Sequence, residues 1–448
     1  MSGFKEHTIE ATELSIFMIF CALLIGQMTK HCTHWIGMPY TPVLTVLGVI
    51  VAAVDRSINS ERWTSHHDDQ HELEHESIFR ITLEGYHTPD PSLVFLIFLP
   101  ALIFESAFNT DWYTFKRQFL KILIMAMPLL LFSTFMTALI MYYVLGFSGD
   151  ANNLSFMGCL IFGAIISATD PVAVVALLKE LGVSKQISTL IEGESLMNDG
   201  TALVLFIVLE QIEEGKDLSA WDITKQFVQM SVGGPLLGLV FGFIMAWMLN
   251  RIHNVPIMEA NLTVCMPYIL FYVAELHAVH VSGILALVAM GLYMTNRGRT
   301  RISTESEETI HAIWSYIGFV AETLIFLLTG IVLGGKLVDI EPIWFLQLIG
   351  LYIVLHIIRF VGLLITFPLM RRTGYTFDIK QAVLVSYSGL RGAVGLCLAL
   401  LINFNANIST NIQGQIMFFT CGIVLLTLIV NGTTTGILIR KLGLAKEN

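Results

Sequence analysis

Apolar residues run along this chain in long blocks separated by short polar stretches, and that pattern sets the class of fold. Thirteen blocks are long enough to cross, or nearly cross, about 30 Å of hydrocarbon. They lie near residues 14–29, 36–54, 91–107, 119–145, 154–180, 186–210, 229–250, 257–276, 281–295, 309–334, 342–370, 380–402 and 412–440. In lipid a backbone must satisfy its own hydrogen bonds, and these runs are too long and too little alternating for barrel strands. The predicted fold is therefore an all-α polytopic membrane protein with about 13 transmembrane helices. The first block follows no basic n-region with a small-residue cleavage site, so it reads as a retained span.

The blocks divide as six, one and six. Two inverted six-helix repeats follow, at about 14–210 and 257–440, joined by a connector helix at about 229–250, all within one membrane transport domain of residues 1–448. Repeats of this kind mark secondary transporters, whose site is pointed to by interrupted spans at corresponding positions in each half. The fifth span carries Ser167-Ala-Thr169-Asp170-Pro171, and the fifth span of the second half carries Ser386-Tyr-Ser388-Gly389-Leu-Arg391-Gly392. Pro171 removes a backbone N–H, and Thr169 or Asp170 before it supplies cap chemistry for restarting a helix. The paired glycines loosen the helix around Arg391. Broken helices crossing mid-membrane leave opposite dipole ends near the midplane, which a buried Asp170 and Arg391 can offset. The plainer alternative is two kinked spans whose Asp170 and Arg391 form a structural pair.

Composition supports the membrane assignment: 55% of the 448 residues are hydrophobic and 13% charged, against about 25% charged in a soluble domain, and mean hydropathy is +0.71. Positive charge orients the chain. Sixteen Lys and Arg, among them Lys30, Arg117, Lys179, Arg251, Arg299, Arg371 and Arg440, collect on one side against seven on the other. The first side, with the C-terminus, is therefore cytoplasmic and the N-terminus outside; the expected location is the plasma membrane. Arg359 and Arg391 remain within spans. The net charge of −10 and the lack of a long basic run exclude a nucleic-acid partner. The six cysteines, five of them in apolar spans, form no disulfide framework.

Spacing in the sixth span is informative. Glu194, Ser195, Asn198 and Asp199 stand at i, i+1, i+4 and i+5 and share one helix face. Two carboxylates, a hydroxyl and an amide form a hard-oxygen set suited to a small alkali cation and unsuited to soft metals. An ionised group in the bilayer costs about 2.5–3.5 kcal/mol on insertion scales, so its default reading is functional. Asp199 lies close to the middle of its span, where a proton and a cation can compete for one carboxylate. If the carrier reorients only when Asp199 is neutralised, cation and proton move in opposite directions.

These residues carry a resemblance. The runs Ser167–Gly182, Glu192–Thr201 and Ser388–Val394 resemble the sodium/proton exchangers of the monovalent cation/proton antiporter family, and within it the plant salt-tolerance and sperm-specific branch. Phe98–Phe108 and Ala321–Gly330 fit as well, so the likeness covers about residues 90–440. The resemblance implies a thirteen-helix homodimer with a dimerisation domain and a core domain that moves as an elevator. It implies that Asp199 binds the ion, that Thr169 and Ser195 offer oxygens beside Asp170, and that Glu194 pairs with Arg391. Asn198, where electrogenic relatives have a second aspartate, implies electroneutral one-for-one exchange of Na+, or of Li+ or K+, for H+, with no cofactor. Glu322 lies in a stretch linked in the family to cation and inhibitor sensitivity, and is expected to line a funnel. Relatives usually carry a long cytosolic regulatory tail, whereas this sequence ends eight residues after Arg440; the tail is expected to be absent or truncated.

Two rival classes compete. The 55–90 segment, read as an extracellular His-rich loop, contains His71-Glu72-Leu-Glu-His75, which matches the zinc-protease pattern H-E-x-x-H. A segment this rich in His and Glu produces that pattern easily and offers no apolar face to bury it, so a solvated loop is preferred. A cation channel could use the same carboxylates, but a channel needs several weak sites along a continuous pore. One clustered site between two broken helices favours alternating access. Glu105, Glu275, His356 and Arg359 also lie in spans, and Glu105 and Arg359 stand evenly between structural pairing and function. The sequons at Asn153 and Asn407 fall in predicted outer loops.

Overall fold

The computed structural model describes residues 17–58, 91–145 and 154–445, apart from single positions and short turns within those ranges. Segment 59–90, with His71, Glu72 and His75, lies outside the described residues, as do Asn153 and Asn407. Within the described ranges the apolar blocks are helical. Helix α1 covers 19–33, α2 Tyr40–Ile58 and α3 Pro91–Asn109. Helix α4, Trp112–Tyr143, passes through a π-turn at Met125–Leu129 that accommodates Pro128. Helix α5 is in two halves, α5a Phe156–Ser167 and α5b Val172–Glu180. Then come α6 Lys185–Glu213, α7 Ala220–Leu249, α8 Pro256–Glu275, α9 Gly283–Tyr293, α10 Thr304–Lys336 and α11 Pro342–Arg371. Helix α12 is again split, α12a Ile379–Tyr387 and α12b Ala393–Phe404. Helix α13 runs Thr410–Leu426, through a π-turn at Thr427–Asn431, into Gly432–Leu442.

Among the described residues seven helical stretches, α4, α6, α7, α8, α10, α11 and α13, are each long and apolar enough to cross a membrane. The all-helical membrane fold read from the hydrophobic blocks is thus present. Two helices start well before their apolar blocks, because polar first turns are capped rather than buried. The Asp111 carboxylate accepts from the N–H of Tyr113 at 3.0 Å to open α4, and a reciprocal cap between Ser219 and Asp222 opens α7.

Close helix pairs are built on glycine. A Cβ on Gly330 of α10 would lie 2.2 Å from the Thr45 carbonyl of α2, and one on Gly48 would lie 2.5 Å from the Leu327 carbonyl. Small residues let backbones in lipid approach this closely. Helices α7 and α9 meet in the same way at Gly238, where a Cβ would lie 2.0 Å from the Ala286 carbonyl. Against this frame the breaks in α5 and α12 face each other. The N–H of Asp170 donates to the carbonyl of Leu390 at 2.8 Å, an isolated antiparallel bridge between two short extended segments.

Candidate functional site

The break in α5 follows from its own sequence. A residue before proline is pushed out of the helical region, so α5a stops at Ser167 and α5b restarts after Pro171. Asp170, rather than Thr169, makes the cap: its Oδ1 accepts from the N–H of Val172 at 2.9 Å. At the other side of the break, Arg391 Nη1 donates to the carbonyls of Ser167 at 3.1 Å and Ala168 at 3.4 Å. A carboxylate thus faces a helix N-terminus and a guanidinium faces a helix C-terminus, each offsetting the local dipole.

The glycines of the α12 break have specific tasks. A Cβ on Gly392 would lie 2.2 Å from Asp170 Cβ, and one on Gly389 would lie 2.6 Å from Arg359 Cζ. Each glycine therefore vacates the space that a charged side chain from another helix fills. The N–H of Arg391 is held by Thr427 Oγ1 at 3.2 Å, which ties the break to the π-turn of α13.

Helix α6 presents the four residues at its i, i+1, i+4 and i+5 positions to this crossing, all of them buried. The Ser195 hydroxyl donates to the Thr169 carbonyl through a short contact. Asn198 Nδ2 lies 3.4 Å from both Thr169 Oγ1 and Glu194 Oε1. The pairing implied for Glu194 is not the one present. Glu194 Oε1 is 2.7 Å from Arg359 Nη2 of α11, whereas Arg391 spends its donors on backbone carbonyls. The gap at Gly389 is what lets the Arg359 side chain reach the α6 carboxylate past α12.

Asp199 differs from the other acids at the crossing. It is 6% exposed, and its Oδ1 is buried without a hydrogen-bond partner, as is Oδ1 of Asn198. Buried polar atoms are almost always paired, so an unpartnered carboxylate oxygen on Asp199 makes it the candidate binding group of the crossing. Thr169, Asp170, Ser195 and Asp199 line a cavity of about 560 Å³ that extends to Lys30, Asn109 and Lys179 near the ends of α1, α3 and α5b. Glu105 and Glu322 line the same cavity.

The cavity lining also includes residues that the sequence did not single out as site residues. Tyr40, at the start of α2, donates its hydroxyl to Glu322 Oε2 at 2.5 Å, and the Lys30 ammonium lies 4.8 Å from the Phe319 ring centre. Neither carries a local sequence signal, since a tyrosine and a lysine at helix ends are ordinary interfacial residues.

Comparison with known proteins bears on the family and the fold. Residues 17–441 match the family model described as sodium/hydrogen exchanger, transmembrane. The chain belongs to that family. Its members are secondary transporters and not enzymes, and this chain is an integral membrane protein. It is 35% identical over 438 residues to sodium/hydrogen exchanger 7 of Arabidopsis thaliana, across 96% of this chain and 36% of that one. It is 29% identical to the Na(+)/H(+) antiporter ApNhaP of Aphanothece halophytica, across 98% and 76%. The chain spans 36% and 54% of the lengths of two Arabidopsis relatives. Its fold matches that of the sodium proton antiporter MjNhaP1 from Methanocaldococcus jannaschii with a TM-score of 0.76 at 19% identity, covering 96% of this chain and 99% of that one. The family resemblance read from the motifs, including its plant branch, is consistent with these matches.

Proposed function

We propose that this chain is an Na+/H+ antiporter in which cation and proton compete for Asp199, with Li+ and K+ as alternative cations. The observation that carries the reading is the unpartnered, buried Asp199 carboxylate oxygen at the crossing of two broken helices, reached from one side by the cavity. A buried carboxylate without a cationic partner is stable only when a small cation or a proton neutralises it. The neighbouring charges are committed: Asp170 caps α5b and Glu194 is paired with Arg359. One free charge supports electroneutral one-for-one exchange, with the amide of Asn198 adding an oxygen and no charge.

In this reading the described conformation is cytoplasm-facing, because Lys30 and Lys179 stand at the cavity mouth on the side enriched in positive charge. Alternating access by an elevator motion of a homodimer in the plasma membrane, with the N-terminus outside and the C-terminus cytoplasmic, completes the proposal. The names of the relatives quoted above support the substrate pair. The test uses purified protein in liposomes with an internal pH dye and an imposed proton gradient. External Na+, Li+ or K+ should drive alkalinisation in the wild type, unaffected by clamping the voltage to zero, and none should do so with Asp199→Asn. Activity retained by Asp199→Asn would sink the proposal.

A further inference from the structure

A second polar cluster lies on the other side of α12 from the ion site. His356 stands at the midpoint of α11, and its Nδ1 is 2.9 Å from the Tyr352 carbonyl one turn earlier. Its Nε2 is 2.7 Å from Asn431 Nδ2, at the end of the π-turn of α13. The same Nδ2 donates to the carbonyl of Tyr387 at 3.0 Å, and Asn431 Oδ1 accepts from the Tyr352 hydroxyl at 2.6 Å.

Two backbone carbonyls settle every proton in this cluster. A carbonyl only accepts, so Tyr352 O requires the proton on Nδ1 of His356, and Tyr387 O requires the amide nitrogen of Asn431 on its own side. Nε2 is then the acceptor, and the imidazole is neutral. A second proton would set two donors against each other at Nε2 and Nδ2. Asn431 could meet it only by turning its amide over, which releases Tyr387 O and withdraws Oδ1 from Tyr352.

The released bond matters because of where it sits. Tyr387 is the last residue of α12a; three and four residues later, Leu390 O holds Asp170 and Arg391 caps α5a. The π-turn of α13 therefore grips the α12 break twice, through Thr427 at Arg391 and through Asn431 at Tyr387. We propose that His356, acting through Asn431, is a positioning residue for transport that holds the α12 break only while its ring is neutral, so that protonation of this imidazole loosens the ion site and slows exchange.

The proposal rests on the exchange reading above. Other charged or titratable groups facing the ring are Arg359 of its own helix, with Glu194 behind it, Tyr387 and Arg391 of α12, and Tyr352. Helix α13 faces it with Asn431, and α4 from Met125 to Met141 carries no ionisable side chain.

The test separates this proton from the one that competes at Asp199. Saturating cation displaces a competing proton from Asp199 and leaves His356 untouched, so exchange is measured from pH 5.5 to 8.5 at saturating cation. Wild-type rate should fall on the acid side by about tenfold per pH unit once His356 is protonated. His356→Gln, whose side-chain oxygen can accept from Asn431 at any pH, should stay within about twofold of its pH 8 rate over the same range. Nitrogen NMR of the wild-type ring in bilayers supplies a readout that needs no variant. Labelling Leu carbonyl and His nitrogen singles out the two Leu–His pairs, at His277 and His356. The Nδ1–H tautomer at pH 8, converting to the doubly protonated ring along the acid limb, is the expected result. An Nε2–H tautomer, a ring that stays neutral through the acid limb, or a His356→Gln profile identical to wild type would overturn the inference. If wild type moves no cation, the exchange reading fails, and the NMR titration still decides the state of the ring.

Discussion

The buried ion pair of α6 and α11 offers a sharp quantitative test, because the family likeness and the structure give Glu194 different partners. Glu194 and Arg359 lie 2.7 Å apart with side chains 2% and 10% exposed. With charge centres about 4 Å apart and an effective dielectric of about 20, their attraction is about 4 kcal/mol. Arg359→Met leaves the Glu194 carboxylate buried without its cation, which should destabilise the fold by about 3–5 kcal/mol. Glu194→Gln added to it should restore most of that loss, giving a coupling energy of about 3–4 kcal/mol in the double-mutant cycle. The parallel cycle between Glu194 and Arg391 should give a clearly smaller coupling, about 2 kcal/mol or less, since Arg391 donates to the carbonyls of Ser167 and Ala168 and attracts the carboxylate only from a longer distance. Reversible unfolding of the purified protein in mixed micelles, with SDS as denaturant, measures all four corners of each cycle. A Glu194–Arg391 coupling equal to or larger than that of Glu194–Arg359 would refute the assignment.

Further outcomes follow from single close contacts. Gly392→Ala would drive a methyl to 2.2 Å from Asp170 Cβ; displacing that cap by about 1 Å should lower exchange ~100-fold, read in the liposome assay, with the protein still monodisperse on size exclusion. Gly330→Ala meets the Thr45 backbone at 2.2 Å, which a rotamer change cannot relieve, and should cost about 1–3 kcal/mol in unfolding. Ser195→Ala removes the hydroxyl that fixes the Thr169 carbonyl. Losing that bond is worth about 1–2 kcal/mol, so the half-saturating cation concentration should rise ~5- to 30-fold while the maximal rate changes less; the rate against cation concentration separates the two.

Much of this architecture is readable in the sequence because its signals are local. The length of each apolar block gives the helices, and Thr169-Asp170-Pro171 gives a break that needs no tertiary partner to explain it. The i, i+1, i+4, i+5 spacing places Glu194, Ser195, Asn198 and Asp199 on one face, and all four are buried at the crossing. What the sequence leaves open is set between helices. Nothing local distinguishes Arg359 from Arg391 as the partner of Glu194, because the choice depends on the space left by Gly389 in a third helix. The π-turn of α13 is equally silent: Thr427 and Asn431 look like ordinary polar residues in an apolar span until their contacts with Arg391 and Tyr387 are seen. Tyr40 and Glu322 are 282 residues apart, and no periodicity links them.

In the exchange reading proposed above, the division of labour among the buried charges is why one carboxylate suffices. On the broken helices and α6, three charges besides Asp199 have a fixed counterpart: Asp170 a helix N-terminus, Arg391 a helix C-terminus, and Glu194 the guanidinium of Arg359. Such counterparts lower the cost of keeping ionised groups in a low-dielectric interior and hold the broken ends in register. They also leave the local field close to balanced, so the charge state of the crossing changes by one unit when Asp199 is occupied. A cation or a proton makes that change equally well, which is the condition for exchanging one against the other. A second uncommitted carboxylate would leave net charge after one cation bound and would couple transport to the membrane potential. In this chain the neighbouring position is Asn198, whose amide nitrogen stands between Thr169 and Glu194 and which carries no charge.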